Sequence, residues 1–261
     1  MRKESGLLAA LVAICALSLP AGGQERLGLV LLHGKGGLPQ QLSPLAASLA
    51  PHGFLTEQPE MCWSRNRIYD RLYLDCLGEI GAAIDQLKNR GATGTVVLGM
   101  SLGGNGALGY GARHAGLKGI ITLVPGHAPE FISRRPEVAA SLEQARQLIA
   151  TGQGNTRTTF TDVNTRTTTY NMSVTTTPNI YVNFFAADSP AVMPANAARI
   201  TAPLLYVAAT NDPSQRGRWY IFDRAPAHPL NRYVTVNSDH IGTPAMSQEV
   251  VLDWLKKLAG P

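Results

Sequence analysis

Three residues of this chain, Ser101, Asp212 and His240, are of the types that together make an activated oxygen nucleophile. Ser101 stands at the centre of Gly99-Met100-Ser101-Leu102-Gly103, directly after the apolar run Thr95-Val96-Val97-Leu98. A β-branched apolar run reads as a buried strand, and the residues beyond Gly104 read as a helix. A serine on the sharp turn between strand and helix is the context of a nucleophile elbow. Bulk two residues to either side would clash across such a turn, so Gly99 and Gly103 let strand and helix approach. The competing reading is a glycine-rich corner with an incidental serine.

A serine hydroxyl is a weak nucleophile and needs an adjacent base, itself oriented by a third group. Of six histidines, His33, His127 and His240 follow strands on the edge where Ser101 would lie. His240 comes last, in a loop able to reach over Ser101. Asp212 follows the strand Pro203 to Ala209 and is the expected acid, although it also precedes a proline and could serve only as a turn residue. Glu130 and Asp239 are rival acids; Asp239 ranks low because neighbouring strand-end side chains usually point apart. The order Ser101, Asp212, His240 is one of those known for such triads. Two preorganised N–H donors are also required. The backbone of Leu102 supplies one. The loop His33-Gly34-Lys35-Gly36-Gly37 supplies the other, through Lys35, with Gly36 close behind. His52, His114 and His228 read as structural.

The elements that must position these residues follow from periodicity. Strands are expected at Leu27 to Leu32, Phe54 to Glu57, 95–98, Lys118 to Val124, Pro203 to Ala209 and Arg232 to Val236. Helices are expected at Pro39 to Ala50, Leu72 to Asn89, Leu102 to about His114, Pro213 to Arg224 and Met246 to Leu258. Parallel strands joined by right-handed crossovers are the compact solution for this order, with sites beyond the carboxyl ends of the strands. Between about 126 and 200 the alternation breaks. That stretch reads as an insertion over the sheet edge. It holds a helix from Pro136 to Thr151, a threonine-rich hairpin turning near Val163-Asn164-Thr165, and a helix from Pro178 to Ala187.

Composition narrows the class. The chain has 261 residues, 44% of them hydrophobic, which suits a sizeable core. A formal charge of +5 without a long basic run or a basic stripe interleaved with aromatics argues against nucleic acid. Neither glycine-rich loop matches a phosphate-binding fingerprint, and no metal-ligand spacing or CxxC is present, so neither a cofactor nor a metal is expected. Arg2, Lys3, the apolar stretch Leu7 to Leu19 and the small residues Ala21-Gly22-Gly23 read as a secretory signal peptide over residues 1–23. An uncleaved anchor is the alternative; after cleavage no stable membrane span is expected. Cys15 leaves with the leader. Cys62 and Cys76 remain as an even pair in an oxidising compartment, which predicts one disulfide worth roughly 3 kcal/mol on a chain-entropy argument.

Together, Leu29 to Gly37 (LVLLHGKGG), Leu98 to Gly104 (LGMSLGG), Asn211-Asp212-Pro213 and Asp239-His240 resemble the α/β-hydrolase family. The resemblance covers nearly all of 24–261 except the insertion. It implies a three-layer α/β/α sandwich around a mostly parallel sheet of about six strands, the family's first strands being absent, with the insertion standing where members often carry a cap. It implies that Ser101, Asp212 and His240 act as nucleophile, acid and base, with the Lys35 and Leu102 backbones as the oxyanion hole. The expected activity is hydrolysis of small-molecule carboxylic esters by a secreted or periplasmic serine hydrolase. Amide or peptide hydrolysis, acyl transfer, and a non-catalytic binding protein on the same fold are the competing readings. Arg65, Arg67 and Arg71 are candidates to meet an anionic substrate group, although a solvated loop face suits them as well.

Overall fold

The computed structural model describes residues 25–164 and 170–260. The expected leader, with Cys15, lies outside them, as does Thr165 at the expected hairpin turn. Six strands form one wholly parallel sheet: β1 (Leu27–Leu32), β2 (Leu55–Glu57), β3 (Gly94–Met100), β4 (Gly119–Leu123), β7 (Leu204–Ala209) and β8 (Arg232–Val236). Their order is β2-β1-β3-β4-β7-β8. Two further strands, β5 (Thr158–Asn164) and β6 (Tyr170–Thr176), pair antiparallel in a separate ribbon.

Side chains alternate across the sheet and found two cores, as pleated strands require. Val30 and Leu32 face one core; Leu27, Leu29 and Leu31 face the other. The first core is covered by α2 (Tyr73–Asn89), α3 (Leu102–Gly111) and the 126–200 segment; the second by α1 (Ser43–Leu49) and α9 (Gln248–Ala259). This is a three-layer α/β/α sandwich. Helix α2 ends where Gly91 adopts φ +90°, a conformation costly for any residue with a Cβ. Tyr73, not Leu72, takes the first buried position of its stripe; Leu72 is exposed. No helix among the described residues is long and apolar enough to cross a membrane.

The 126–200 segment contains α4 (Pro129–Ile132), α5 (Pro136–Ala150), the β5–β6 ribbon, α6 (Pro178–Phe185) and α7 (Met193–Ala197). The one-turn helices α4 and α7 are too short to leave a periodic signal. Val163 and Asn164, expected at the turn, still belong to β5 and pair with Asn171 and Tyr170. The ribbon is packed rather than loose: Phe160 and Val174 pair across it and are buried. Phe160 stacks on Tyr181 at 4.4 Å, and Tyr181 on Phe185 at 4.5 Å. Tyr181, Phe184 and Phe185 are all core residues. Tyr170 is instead exposed, its hydroxyl accepting from Asn164.

One expected helix is absent. Residues 213–224 form two short 3₁₀ turns, Arg218–Tyr220 and Phe222–Arg224. Gly217 at φ +77° interrupts the helical path, and Asp212 spends its side chain on Ser214 and Gln215 in a local turn. A one-turn α8 (Thr243–Met246) precedes α9.

Candidate active site

Ser101 caps α3 at φ 55° and ψ −121°, a sparsely populated conformation for a residue with a side chain. The surrounding glycines explain how the turn exists. A Cβ on Gly99 would fall 2.0 Å from the Gly103 carbonyl oxygen, and one on Gly103 would fall 2.2 Å from the Leu32 carbonyl oxygen. Across the turn, a Cβ on Gly126 would stand 3.1 Å from the Ser101 Oγ. Ser101 is therefore held by backbone against backbone.

His240 follows β8 and Asp212 follows β7. His240 Nδ1 donates to Asp212 Oδ2 at 2.8 Å, and the two side chains are 1% and 0% exposed. The carboxylate fixes the proton on Nδ1, leaving Nε2 as a bare lone pair. That Nε2 is buried and has no hydrogen-bond partner among the described residues. His240 lines, with Ser101, Leu102 and Lys35, a cavity of about 20 Å³. Burial alone would raise the Asp212 carboxyl; the hydrogen bond and charge of His240, with two bonds from Ser214, outweigh it and hold the group below its ordinary value. The Ser214 backbone N–H and hydroxyl reach Asp212 Oδ1 at 2.9 and 2.7 Å, and Gln215 Nε2 reaches Oδ2 at 3.1 Å. Asp212 thus orients His240 and also organises its own turn.

The rival acids are occupied elsewhere. Asp239 accepts the Gly242 N–H at 2.7 Å, and Glu130 accepts the Tyr220 hydroxyl. In the loop after β1, the Gly34 N–H is taken by Gln41 Oε1, Gly36 by the Trp63 carbonyl and Gly37 by the Gly34 carbonyl. For the Lys35 N–H in this run of four no acceptor occurs among the described residues. The Leu102 N–H, in the first turn of α3, is one of the donors a helix start leaves open.

His33 is a structural bridge: Nε2 accepts the Met61 N–H at 3.1 Å, so Nδ1–H donates to the Gly34 carbonyl at 2.8 Å. Burial holds its pKa down. Cys62 and Cys76 form the expected disulfide, with Cα atoms 5.7 Å apart, tying the 58–71 loop to α2. Arg67 pairs with Asp70 and Glu79, and Arg71 with Glu79, so both are neutralised on the loop face. No cluster of potential metal ligands occurs among the described residues.

Two contacts carry no local sequence signal. Lys35 Nζ, on the residue whose N–H is unpaired, donates to Asp162 Oδ1 at 2.7 Å and to the Val163 carbonyl at 3.0 Å, 127 and 128 residues away. His127, at φ 67°, donates through Nε2 to the Phe184 carbonyl at 2.9 Å, while its buried Nδ1 is unpartnered. Burial, aided by the Lys35 charge, pushes its pKa down to about 4. It is thus a neutral acceptor on the cavity wall.

No protein-family model matches the chain, and no curated protein matches its sequence. Solved structures do. The monoacylglycerol lipase of Paleococcus ferrophilus superposes with a TM-score of 0.65 at 16% identity, over 88% of this chain and 94% of that one. Est1E from Butyrivibrio proteoclasticus gives 0.61 at 15% identity, over 93% and 92%. A proline iminopeptidase of Mycobacterium smegmatis gives 0.54 at 16% identity, over 89% and 90%. The chain has the α/β-hydrolase fold.

Proposed function

We propose that this chain is an exported serine hydrolase that cleaves carboxylic esters. One observation carries the reading: a buried His240, oriented by Asp212 and with its Nε2 unpartnered among the described residues, lines the same cavity as a strained Ser101. In this scheme the Ser101 Oγ attacks the ester carbonyl carbon while His240 Nε2 takes its proton. The carbonyl oxygen becomes an oxyanion between the Lys35 and Leu102 N–H groups. Collapse expels the alcohol, which receives the proton from His240, and leaves an acyl-Ser101. Water then attacks through the same base and releases the acid. Asp212 stabilises the imidazolium in both halves. The lipolytic enzymes among the fold neighbours support an ester, with amide cleavage, as in the proline iminopeptidase on the same fold, the competing reading; the 126–200 segment serves as the cap over the site.

Export rests on the leader-like residues 1–23 and on the Cys62–Cys76 disulfide, which belongs to an oxidising compartment. The test of the reaction is a series of aryl esters of increasing acyl length, each paired with its anilide. Esters are expected to turn over with a burst of phenol equal to the enzyme present. Cleavage of the anilides with the esters left intact would assign the site to amide chemistry instead.

A further inference from the structure

A second cavity, of about 250 Å³, opens beside Ser101 and shares Gly126, His127, Ile132 and Ser214 with the smaller one. At ~30 Å³ per water it has room for about eight waters, or for a short substituent of a substrate. Its walls include Met193 and Tyr206 and two guanidinium groups, Arg135 and Arg216. Among the described residues neither forms an ion pair. Arg135 Nε is buried without a hydrogen-bond partner. Arg216 is laid over the Phe131 ring, 3.7 Å from its centroid, which fixes its position without neutralising it. The acidic residues close by do not line this cavity. Glu130 takes the hydroxyl of cavity-lining Tyr220, its other oxygen buried without a partner among the described residues. Glu137, two positions beyond Arg135, faces solvent, its carboxyl held below its ordinary value by its own backbone N–H and Asn171, with the Arg135 charge the smallest contributor. This contrasts with Arg67 and Arg71, whose charges are spent on Asp70 and Glu79.

We propose that this cavity is an anion subsite in which Arg135 and Arg216 bind a carboxylate borne by the substrate, so that the substrate is an ester carrying a second, ionised carboxyl group. The inference rests on Ser101 being the nucleophile of an ester hydrolase. A planar guanidinium matches a carboxylate with paired N–H donors, and one poised beside an acyl-transfer site without a counter-ion leaves that demand to the ligand.

The test compares kcat/KM for two isosteric pairs: para-nitrophenyl hydrogen glutarate against its neutral carboxamide, para-nitrophenyl glutaramate, and para-acetoxybenzoate against para-acetoxybenzamide. The first carries the carboxylate on the acyl side, the second on the alcohol side. Wild type is expected to favour the anionic member of one pair by about tenfold, the strength of a charge-assisted contact. Arg135→Gln with Arg216→Gln is expected to bring that ratio to about one. Arg146→Gln, which removes the same charge from the exposed face of α5, is expected to leave the ratio unchanged. Arg216 is exposed, so Arg216→Gln alone, with a smaller fall in the ratio, serves should the double variant not fold. Stabilisation of the folded protein by sodium glutarate, read as a rise in Tm, gives an arm independent of turnover. A glutarate-dependent rise in wild type but not in the arginine variants, with every ester inert, would keep the subsite and remove the ester reading. Ester turnover blind to charge, with no glutarate effect on Tm, would overturn the subsite and leave the hydrolase reading standing.

Discussion

The carboxyl edge of the sheet and the 126–200 segment meet around Ser101, but they are held by different means. At the edge, backbone abuts backbone: Gly99 on Gly103, Gly103 on Leu32. Apart from the Gly126 N–H, which donates to the Ser101 carbonyl, the segment reaches the site through side chains: Asp162 to Lys35, and Asn105 Nδ2 to the His127 and Ala191 carbonyls at 2.8 Å each. The first kind of contact tolerates no added atom, and the second can be weakened one group at a time. Chemistry should therefore fail abruptly when the edge is altered and in graded steps when the segment is altered.

The largest effect is expected at the edge. Asp212→Asn keeps the shape of the turn but presents the wrong hydrogen-bonding group to His240 Nδ1. On the proposed mechanism kcat falls about 10⁴-fold with KM little changed. Steady-state kinetics on the best aryl ester check this, and a loss below tenfold would make Asp212 a turn residue only.

An intermediate effect is expected at His127, where the segment joins the edge. Its folded-state pKa is depressed to about 4, whereas the unfolded residue titrates near 6.5. The unfolded chain therefore binds the extra proton first as pH falls. The stability gained by keeping His127 neutral is present above about 6.5 and lost on descending towards 4, up to about 3 kcal/mol. His127→Asn tolerates φ 67° and removes the titration. Denaturant melts from pH 7 to pH 4 should show a shallower loss in this variant than in wild type.

The smallest effect is expected at Asp162. Asp162→Asn weakens its hold on Lys35 Nζ and loosens the loop whose Lys35 N–H is proposed to meet the oxyanion. About a tenfold fall in kcat is expected, less than the loss of a whole oxyanion donor. If KM rises instead with kcat unchanged, the contact serves binding.

What was legible in the sequence follows the same division. The buried strands announce themselves because both faces are apolar, and the elbow because only glycine fits at 99 and 103. Asp212 and His240 could be found because parallel topology gathers strand ends on one edge. Cys62 and Cys76 were legible as a pair by number alone. The helix expected at 213–224 failed because Gly217 and the Asp212 turn interrupt it. Arg135 and Arg216 were not legible as a pair: 81 positions separate them, and only the fold shows which arginines keep a counter-ion. The Lys35–Asp162 contact was hidden for the same reason, since a pairing across 127 positions leaves no periodic trace.

The central claim is that Ser101 is the nucleophile, and a fluorophosphonate probe followed by peptide mapping tests it most directly. One equivalent of label on Ser101 in wild type, and none in Ser101→Ala, is the predicted result. Equal labelling of both proteins, or label confined to another serine, would contradict it.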